Sequence, residues 1–261
     1  MVFQSPPLTV VMTHYACEDY LADAVRSILQ QSHHDLELHL ADDCSPDERW
    51  LKRIKEFRSD SRLKIFVSDK NVGTYRLKSR MIEAIRSEYV GFHDSDDVSE
   101  KSRFEQQVSI LARGRFDVVG SGFTTIDEKG DAIGKRMFPY ACNLLERLGK
   151  KHLVHHPATT LRRQVFDEIG SFDGTTRIGA DSDFILRAAQ RYRIGNLRAL
   201  LYRYRIRSSS LTGSAGLGYG SDVRQEYRRK MLERWRENRR LGRAADLSTP
   251  GCDIRFQLKA I

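Results

Sequence analysis

The stretch of sequence that decides the fold and the candidate site is EYVGFHDSDD, residues 88–97. Residues 89–93 are a short run of aromatic and β-branched side chains without helical spacing, which predicts a buried strand. Three carboxylates follow within four positions, at Asp94, Asp96 and Asp97. Like charges this close repel one another, and their burial without a partner is costly. A divalent cation offsets the repulsion, and Mg²⁺ or Mn²⁺ commonly joins such carboxylates to the phosphates of a substrate.

The same carboxylates also fit a purely structural role at the start of a helix. A helix is predicted to begin near Glu100, and Asp and Ser are favoured at helix N-termini, where they accept hydrogen bonds from free backbone N–H groups. By themselves, these ten residues support a metal site and a helix cap equally well.

Predicted strands and helices alternate through the first hundred residues. The strands are short apolar or alternating runs, at residues 8–12, 36–41, 63–67 and 89–93. The helices carry apolar residues on one side, at residues 20–31, 47–57 and 74–86. This alternation predicts right-handed crossovers and a parallel sheet.

The ends of the predicted strands carry most of the candidate site residues. In an open parallel α/β sheet, ligands bind beyond the carboxyl ends of the strands. Thr13, Asp42, Asp69 and Asp94 each lie at or just past such an end. Acidic positions that meet at one rim are poorly explained as unrelated helix caps. The order of the elements therefore favours a functional role for Asp94 and for Asp96.

The second half of the chain is less regular. Strand-like runs at residues 116–126 and 132–138 flank a turn and predict a hairpin. The remaining predictions are a loop entering a strand at 152–163, a helix at 182–192, a strand-like run at 196–206, a Ser- and Gly-rich loop at 208–220 and a basic helix at 223–241. No internal repeat or Pro-rich linker interrupts them, so we expect one domain with two abutting halves.

Composition favours an anionic partner and a reducing compartment. The 261 residues include 44 Lys and Arg against 35 Asp and Glu, a net charge of +9, which suits nucleotide phosphates, nucleic acid or an acidic membrane surface. The four cysteines are scattered without metal-ligand spacing, so we expect free thiols. We find neither a signal-peptide pattern nor a run near the roughly 18 apolar residues of a spanning helix. We therefore expect a cytoplasmic protein, attached at most to the inner face of a membrane.

Six segments, taken together, resemble those of inverting family 2 glycosyltransferases with the GT-A fold, in the family's order. They are MTHYACEDYLADAVRSILQQS from residue 12, LADDCSPD from 40, NVGTYRLKSR from 71, FHDSDD from 92, HPATTLRRQVFDEIGSFD from 156 and IGADSDFILRAAQRY from 178. The resemblance implies an α/β, Rossmann-like GT-A fold with a mainly parallel central sheet flanked by helices. It implies a GT-A domain over residues 1–215, with a nucleotide-binding half at 1–100 and an acceptor-binding half at 101–215. A basic helical extension follows at 216–261.

The resemblance also implies a nucleotide-sugar donor, with UDP as the first choice of nucleotide, and a divalent metal, Mn²⁺ or Mg²⁺. Asp42 would hydrogen-bond the base, in a pocket walled by Thr13, Tyr15 and Glu18. The other implied donor contacts are Asn71, Gly73, Lys78, Asp94 and Ser95, and the implied metal ligands are Asp94 and Asp96. The cation would stabilise the departing diphosphate as a Lewis acid. The implied acceptor is a hydroxyl of a glycan or of a lipid-linked glycan, as in bacterial polysaccharide synthesis.

An inverting transfer needs a base on the face of the sugar opposite the leaving group. The resemblance places that base at Asp181, at the start of a helix, with Ala180 where the family usually has Glu. The positive end of a helix keeps such a carboxyl ionised and ready to accept a proton. Asp181 also fits a simple helix cap, and Asp183 is the second candidate for the base.

Further candidates lie on the acceptor side and in the segment after the last predicted strand. His156 is placed to contact donor or acceptor, or simply to pack in the core. Arg205, Arg207 and Ser210 lie where the family often has a lid over the diphosphate, although an ordinary solvated loop explains them equally well.

The C-terminal helix combines an apolar stripe with a strongly basic surface. The stripe has i+4 spacing and consists of Val223, Tyr227, Met231 and Trp235. It fits a helix packed on the catalytic domain. It also fits docking on an anionic membrane surface, where lipid-linked acceptors lie.

Two other classes of function compete with glycosyl transfer. A sugar nucleotidyltransferase also uses a metal and an α/β sheet, but it favours a Gly-rich loop after the first strand, where THYACED has no glycine. Non-catalytic binding of nucleic acid or of an anionic surface would use the +9 charge. However, the basic residues concentrate in the tail and no nucleic-acid recognition motif is present, so we expect no nucleic-acid partner.

Overall fold

A computed structural model describes residues 7–207, 216, 218, 220–242, 246–247 and 256–261. These residues form a ten-stranded central sheet flanked by helices, which confirms the predicted α/β class. The strands are β1 (Leu8–His14), β2 (Leu36–Asp42), β3 (Leu63–Ser68), β4 (Tyr89–Asp94), β5 (Val98–Ser99), β6 (Val118–Ile126), β7 (Ala132–Arg136), β8 (Thr160–Arg162), β9 (Ile194–Arg205) and β10 (Leu258–Ala260). The α-helices are α1 (Glu18–Leu29), α2 (Arg49–Arg53), α3 (Thr74–Ala84), α4 (Arg103–Ala112), α5 (Cys142–Arg147), α6 (Gln164–Ile169), α7 (Ala180–Ala188) and α8 (Asp222–Leu241).

The sheet order is β10-β3-β2-β1-β4-β8-β6-β9-β5, and β7 pairs with β6 outside this path. β3, β2, β1 and β4 run parallel, as the alternation of strands and helices predicts. In the second half, the short strand β8 lies antiparallel between β4 and β6, and β6 then runs parallel to β9. β6 and β7 form the predicted hairpin.

Two hydrophobic clusters lie on opposite faces of the sheet, because successive strand residues point to opposite sides. Val10 belongs to the cluster packed under α1, α2 and α4, whereas Val11 belongs to the cluster packed under α3, α6 and α7. With helices covering both faces, the carboxyl ends of the parallel strands become the edge where polar side chains gather.

Several predicted helices have different ends from those that the apolar spacing indicates. The helix predicted at 47–57 is α2 followed by a 3₁₀ turn, Lys55–Phe57, because Ile54 between them departs from helical geometry with φ −109° and ψ 13°. α3 ends at Ala84 because Ile85 is extended, with ψ 136°. These breaks come from the backbone of single residues, which the spacing of apolar side chains does not reveal.

The predicted basic helix is α8, and its apolar stripe packs against the rest of the fold except at Val223, which is exposed. Ser221 caps it, since its hydroxyl accepts a hydrogen bond from the backbone N–H of Arg224. Met231 is buried, and Tyr227 and Trp235 pack beside it against the cluster that contains α7. No helix in the described part of the chain is long and apolar enough to span a membrane. Docking of α8 on a membrane surface stays a prediction.

Candidate active site

The parallel strands bring the predicted site residues to one edge of the sheet. Thr13 in β1 lies opposite Asp94 in β4, and His14 lies opposite Asp42 in β2. The hydroxyls of Thr13 and Thr74 are 2.7 Å apart, within hydrogen-bond distance, so the end of β1 is fastened to the start of α3. The expectation that these strand ends meet is confirmed.

Asp94 forms an ion pair with the cationic residue predicted to face the phosphates. The Lys78 ammonium, 3% exposed, lies 3.2 Å from Asp94 Oδ1. The backbone N–H of Asp94 donates to the Tyr202 hydroxyl over 3.2 Å. Burial raises the pKa of Asp94, but the charge of the Lys78 ammonium and its hydrogen bond oppose burial, and the pKa lies below its ordinary value. Asp94 is therefore an anion at neutral pH.

Asp96 is joined to the end of β9 by two arginines. Arg207 Nε donates to Asp96 Oδ2 over 2.7 Å, and Arg205 Nε donates to the backbone carbonyl of Asp96 over 2.8 Å. The backbone N–H of Arg205 also donates to Asp97 Oδ1 over 2.7 Å. Burial raises the pKa of Asp96, although the Arg207 guanidinium opposes this rise. A neighbouring cation therefore helps to keep Asp96 ionised.

The predicted lid residues are placed unequally. Arg205 is buried and donates to the backbone carbonyls of Asp127 and Glu128, so it holds the turn between β6 and β7 from within the fold. Arg207 lies beside Asp96 of the acidic turn, residues 94–97, and its contact with a diphosphate stays a prediction. Ser210 lies outside the described residues.

The acidic turn fits a cation that is shared with a substrate. Within the described ranges, no three His, Cys, Asp or Glu side chains are grouped closely enough to hold a metal by themselves. Mg²⁺ and Mn²⁺, however, are commonly bound by one or two carboxylates together with substrate phosphates. Asp94 and Asp96 supply two such carboxylates, with Ser95 between them. The donor set thus fits a metal–diphosphate pair rather than an all-protein cage.

Asp42 is held in a tight turn at the end of β2. It is 2% exposed, and its carboxylate accepts from the Ser45 backbone N–H over 2.8 Å and from the Ser45 hydroxyl over 2.5 Å. Burial raises the pKa of Asp42 despite these bonds. Glu18, at the start of α1, forms an ion pair of 3.2 Å with Arg49, and Tyr15 is 50% exposed at the rim. The predicted pocket wall, and its contact with a base, stay predictions.

The turn of residues 71–73, predicted to face the donor, is held by a carboxylate that the sequence did not single out. Asp43 is buried and accepts from the backbone N–H groups of Val72 and Gly73, each over 2.8 Å. Asn71 donates to the Asp43 carbonyl over 3.0 Å. Gly73 has φ +88°, a left-handed conformation that favours glycine. Asp69 is directed elsewhere, because it accepts from the backbone N–H of Gln257.

Asp181 lies in the first turn of α7, with Gly179 at the N-cap position. The Tyr75 hydroxyl donates to Asp181 Oδ1 over 3.0 Å. Burial, followed by the charge of Asp181, raises the pKa of Tyr75 well above its ordinary value, so the phenol keeps its proton and remains the donor. Asp181 is therefore held by a side chain of α3, and it is not the N-cap residue of its own helix.

Asp183, the second candidate for the base, is placed in a buried network of ion pairs. Its Oδ2 accepts from Arg187 Nε over 2.8 Å, and its Oδ1 accepts from Arg234 of α8. Both oxygens are occupied by guanidinium groups, and the side chain is 3% exposed. This environment suits a structural role better than proton transfer.

His156 is buried in a 3₁₀ turn, His156–Ala158, behind the end of β4. Its ring lies 4.3 Å from that of Phe92, and its Nε2 has no hydrogen-bond partner. Burial, together with the charge of Lys78, lowers the pKa of His156 well below its ordinary value, so the ring is neutral. Packing therefore accounts for its ring, and contact with donor or acceptor stays a prediction.

Sequence reasoning missed three further residues that shape this edge: Asp43, Tyr75 and Arg103. Arg103 is fully buried and donates to the carbonyls of Phe92 and Pro157, over 2.9 and 3.0 Å, so it fixes the end of β4 against the 3₁₀ turn. The nearest sequence signals were the second Asp of LADD and the aromatic residue after NVGT, and neither pattern specifies a partner.

The comparisons with known proteins identify the class. The model of the family described as glycosyl transferase family 2 matches residues 9–170. This chain belongs to that family. EpsE of Bacillus subtilis (strain 168), which is named as a glycosyltransferase, is 35% identical over 137 residues, and the match covers 51% of this chain and 49% of EpsE. The chain thus spans about half the length of EpsE.

Solved structures agree on the fold. TarS of S. aureus (residues 1–349) in complex with UDP-GlcNAc has a TM-score of 0.69 and 20% identity, over 91% of this chain and 73% of that one. The mannosyltransferase PcManGT of Pyrobaculum calidifontis, in complex with GDP-Man and Mn²⁺, has a TM-score of 0.60 and 15% identity, over 78% of this chain and 58% of that one. The predicted GT-A fold is confirmed.

Proposed function

We propose that this chain is a metal-dependent inverting glycosyltransferase with Asp181 as its general base. It would move a sugar from a nucleotide diphosphate, a UDP-sugar in the first instance, to a hydroxyl of a glycan or of a lipid-linked acceptor. The proposal extends the family assignment, which favours sugar transfer over nucleotide transfer or nucleic-acid binding.

The observation that carries the proposal is that α3 holds two separate carboxylates. Tyr75 and Lys78 lie at i and i+3, on the same side of the helix. Lys78 is bonded to Asp94, on the side predicted for the donor, and Tyr75 to Asp181, on the side predicted for the acceptor. One rigid element therefore fixes the spacing between the diphosphate end and the base.

On the donor side, Asp94 and Asp96 would hold the cation together with the diphosphate oxygens. When bound, the cation stabilises negative charge on the departing diphosphate. Lys78 contributes a point charge there, without the bidentate fork of an arginine. Asp42 would accept a hydrogen bond from the base.

On the acceptor side, Asp181 would take the proton of the attacking hydroxyl. The hydrogen bond from Tyr75 engages Oδ1, which leaves Oδ2 to receive the proton. The same bond fixes the rotamer of the carboxylate, so that the acceptor oxygen is aligned with the sugar carbon before the reaction. A single displacement with one base inverts the anomeric configuration.

Two further parts of the proposal are a cytoplasmic location and peripheral contact of α8 with an anionic membrane surface. Arg228 and Arg236 of α8 are exposed, and neither forms an ion pair with any carboxylate among the described residues. Such free cations suit a surface of anionic lipid headgroups.

A panel of donors tests the proposal. Thermal unfolding is followed with UDP-glucose, UDP-GlcNAc, GDP-mannose and dTDP-glucose, each in Mn²⁺ and in EDTA. A ligand present at 100 times its Kd stabilises the folded state by about 2.7 kcal/mol, which raises Tm by several degrees. We expect a UDP-sugar to give this rise in Mn²⁺ only. Failure of every donor, or equal protection in EDTA, would contradict the proposal.

A further inference from the structure

α8 lies outside the part of the chain that matches the family model, yet two of its side chains contact the segment that carries the proposed base. We infer that Arg234 and Tyr227 of α8 are positioning residues for Asp181. This inference rests on the proposed function, since it assumes that Asp181 acts on the acceptor.

Arg234 is one half of a pair of guanidinium groups around Asp183. It bonds Asp183 Oδ1, and Arg187 bonds Oδ2 of the same carboxylate over 2.8 Å. Asp183 lies two residues after Asp181, in the same first turn of α7. A buried carboxylate held on both oxygens cannot rotate without losing a charge-assisted bond. α8 thereby fixes the rotation of this first turn about the axis of α7.

Arg187 gives the network a rigid base. Its Nη2 donates to the carbonyl of Ser171 over 2.6 Å, and its Nη1 donates to the carbonyl of Leu247 over 3.0 Å and to that of Ile169. Ile169 and Ser171 precede α7 in the chain, and Leu247 follows it. Because Arg187 is anchored to backbone, the adjustable member of the pair is Arg234, which reaches Asp183 from a separate helix.

Tyr227 fixes the residues just before the helix. Its hydroxyl donates to Asp173 Oδ2 over 3.2 Å, and Arg234 lies 3.8 Å from the same oxygen. The Tyr227 ring covers Gly179, so that a Cβ placed there would lie 3.1 Å from the ring. Gly179 has φ +77°, which turns the chain into α7. The entry to the helix is therefore covered by α8 and is held through Asp173.

These contacts have a consequence for catalysis and not only for folding. A general base acts only within hydrogen-bond reach of the proton it takes. A displacement of about 1 Å can cost about 10²-fold in rate, even when the change lies away from the chemistry. Tyr75 restrains Asp181 from α3, and the contacts of α8 restrain the backbone on which Asp181 is carried.

The same helix offers a matched control. Arg229 also bonds two carboxylates, Glu226 and Glu233, but all three side chains are about half exposed and belong to α8 itself. Loss of Arg229 removes one guanidinium and two ion pairs without touching α7. Exposed pairs of this kind contribute little to stability.

The test compares Arg234→Gln, Arg234→Lys, Tyr227→Phe and Arg229→Gln in the full chain. The activity is release of UDP from UDP-GlcNAc or UDP-glucose with Mn²⁺, with water as the acceptor. We expect Arg234→Gln to lower kcat about 10–10²-fold, with the KM for the donor within about twofold. Arg234→Lys should recover part of the rate, Tyr227→Phe should lose less, and Arg229→Gln should match wild type. Amide hydrogen exchange at residues 180–184 should become faster in Arg234→Gln and, to a smaller degree, in Tyr227→Phe, but not in Arg229→Gln.

Wild-type kcat and unchanged exchange in Arg234→Gln would overturn the inference, as would an equal loss in Arg229→Gln. If Arg234→Gln does not fold, Tyr227→Phe carries the test, because it removes one hydroxyl and keeps the ring over Gly179. Asp181→Asn distinguishes a failure of this inference from a failure of the proposed function. If it abolishes activity while Arg234→Gln keeps the wild-type kcat, only this inference fails, whereas a fully active Asp181→Asn overturns the proposed function itself.

Discussion

At the scale of single residues, the ion pair between Arg207 and Asp96 partly neutralises the negative charge of the acidic turn, residues 94–97. A cation bound at Asp96 Oδ2 would compete with the 2.7 Å bond from Arg207. Under the proposed function, the cation would weaken this ion pair, and the Arg207 guanidinium would then meet a diphosphate. Arg207 and the metal would act on the same oxygen in turn.

Asp96→Asn should abolish Mn²⁺-stimulated release of UDP, because the amide keeps the size of the side chain and loses its charge. Calorimetric titration of Mn²⁺ in the presence of UDP measures the binding directly. Asp23→Asn serves as the control, since Asp23 is exposed and, among the described residues, pairs only with Arg26 at 2.7 Å. Mn²⁺ affinity equal to that of wild type in Asp96→Asn would assign the metal to other ligands.

The sequence could predict which candidate residues lie at the ends of elements, and their functional roles stay predictions. Asp42 and Asp94 end predicted strands, and Asp181 begins a predicted helix. Asp43, Tyr75 and Arg103 could not be predicted, because their partners are 29, 106 and 54 residues away along the chain. A pairing of that length depends on how the elements pack, which periodicity does not encode.

At the scale of elements, α3 and the turn before it organise the edge of the sheet. The turn of residues 71–73 sets where α3 starts, and α3 then reaches Asp94 and Asp181. Asp43 holds this turn through two backbone N–H groups, so the spacing of the proposed donor and acceptor sites depends on a residue whose two carboxylate oxygens are engaged by the turn itself.

Asp43→Asn should destabilise the fold by about 1–3 kcal/mol. The two oxygens of Asp43 each accept one backbone N–H, and asparagine replaces one of these oxygens with an NH₂ group that cannot accept. The protection given by a UDP-sugar should weaken as well. Denaturant unfolding with and without the donor measures both effects. Asp47→Asn is the control, as Asp47 is exposed and bonds only Arg49 in the described part of the chain. Unchanged stability in Asp43→Asn would mean that Asn71 and Gly73 hold their turn without it.

The elements of the first half could be predicted almost completely, because buried parallel strands and one-sided helices have distinct periods. The second half could not. β8 has three residues and enters the sheet antiparallel between β4 and β6, so it is too short to show a period of its own. In the first half, the exceptions are the helix ends at Ile54 and Ile85. They depend on the backbone angles of apolar residues that also suit a helix interior.

At the scale of the whole molecule, the C-terminal extension meets the proposed acceptor-binding half through α7 and α8. The sequence separated a nucleotide-binding half, an acceptor-binding half and a basic extension, and these divisions stay a prediction. The contacts of Arg234 and Tyr227 tie the extension to the helix that carries Asp181. Part of the +9 charge is likewise engaged within the fold and along α8 itself, so net charge alone overstates the surface offered to an anionic partner.

The central claim is that Asp181 is the base of a single inverting displacement. Its most direct test is the rate of UDP release by Asp181→Asn at saturating donor and Mn²⁺, beside wild type and Asp167→Asn, an exposed carboxylate on α6 paired with Arg163. We predict a kcat about 10²–10⁴-fold lower for Asp181→Asn, the usual span for general base catalysis, with thermal protection by the donor retained. The sugar first released by wild type should have the inverted anomeric configuration. A kcat above a tenth of the wild-type value for Asp181→Asn would contradict the account.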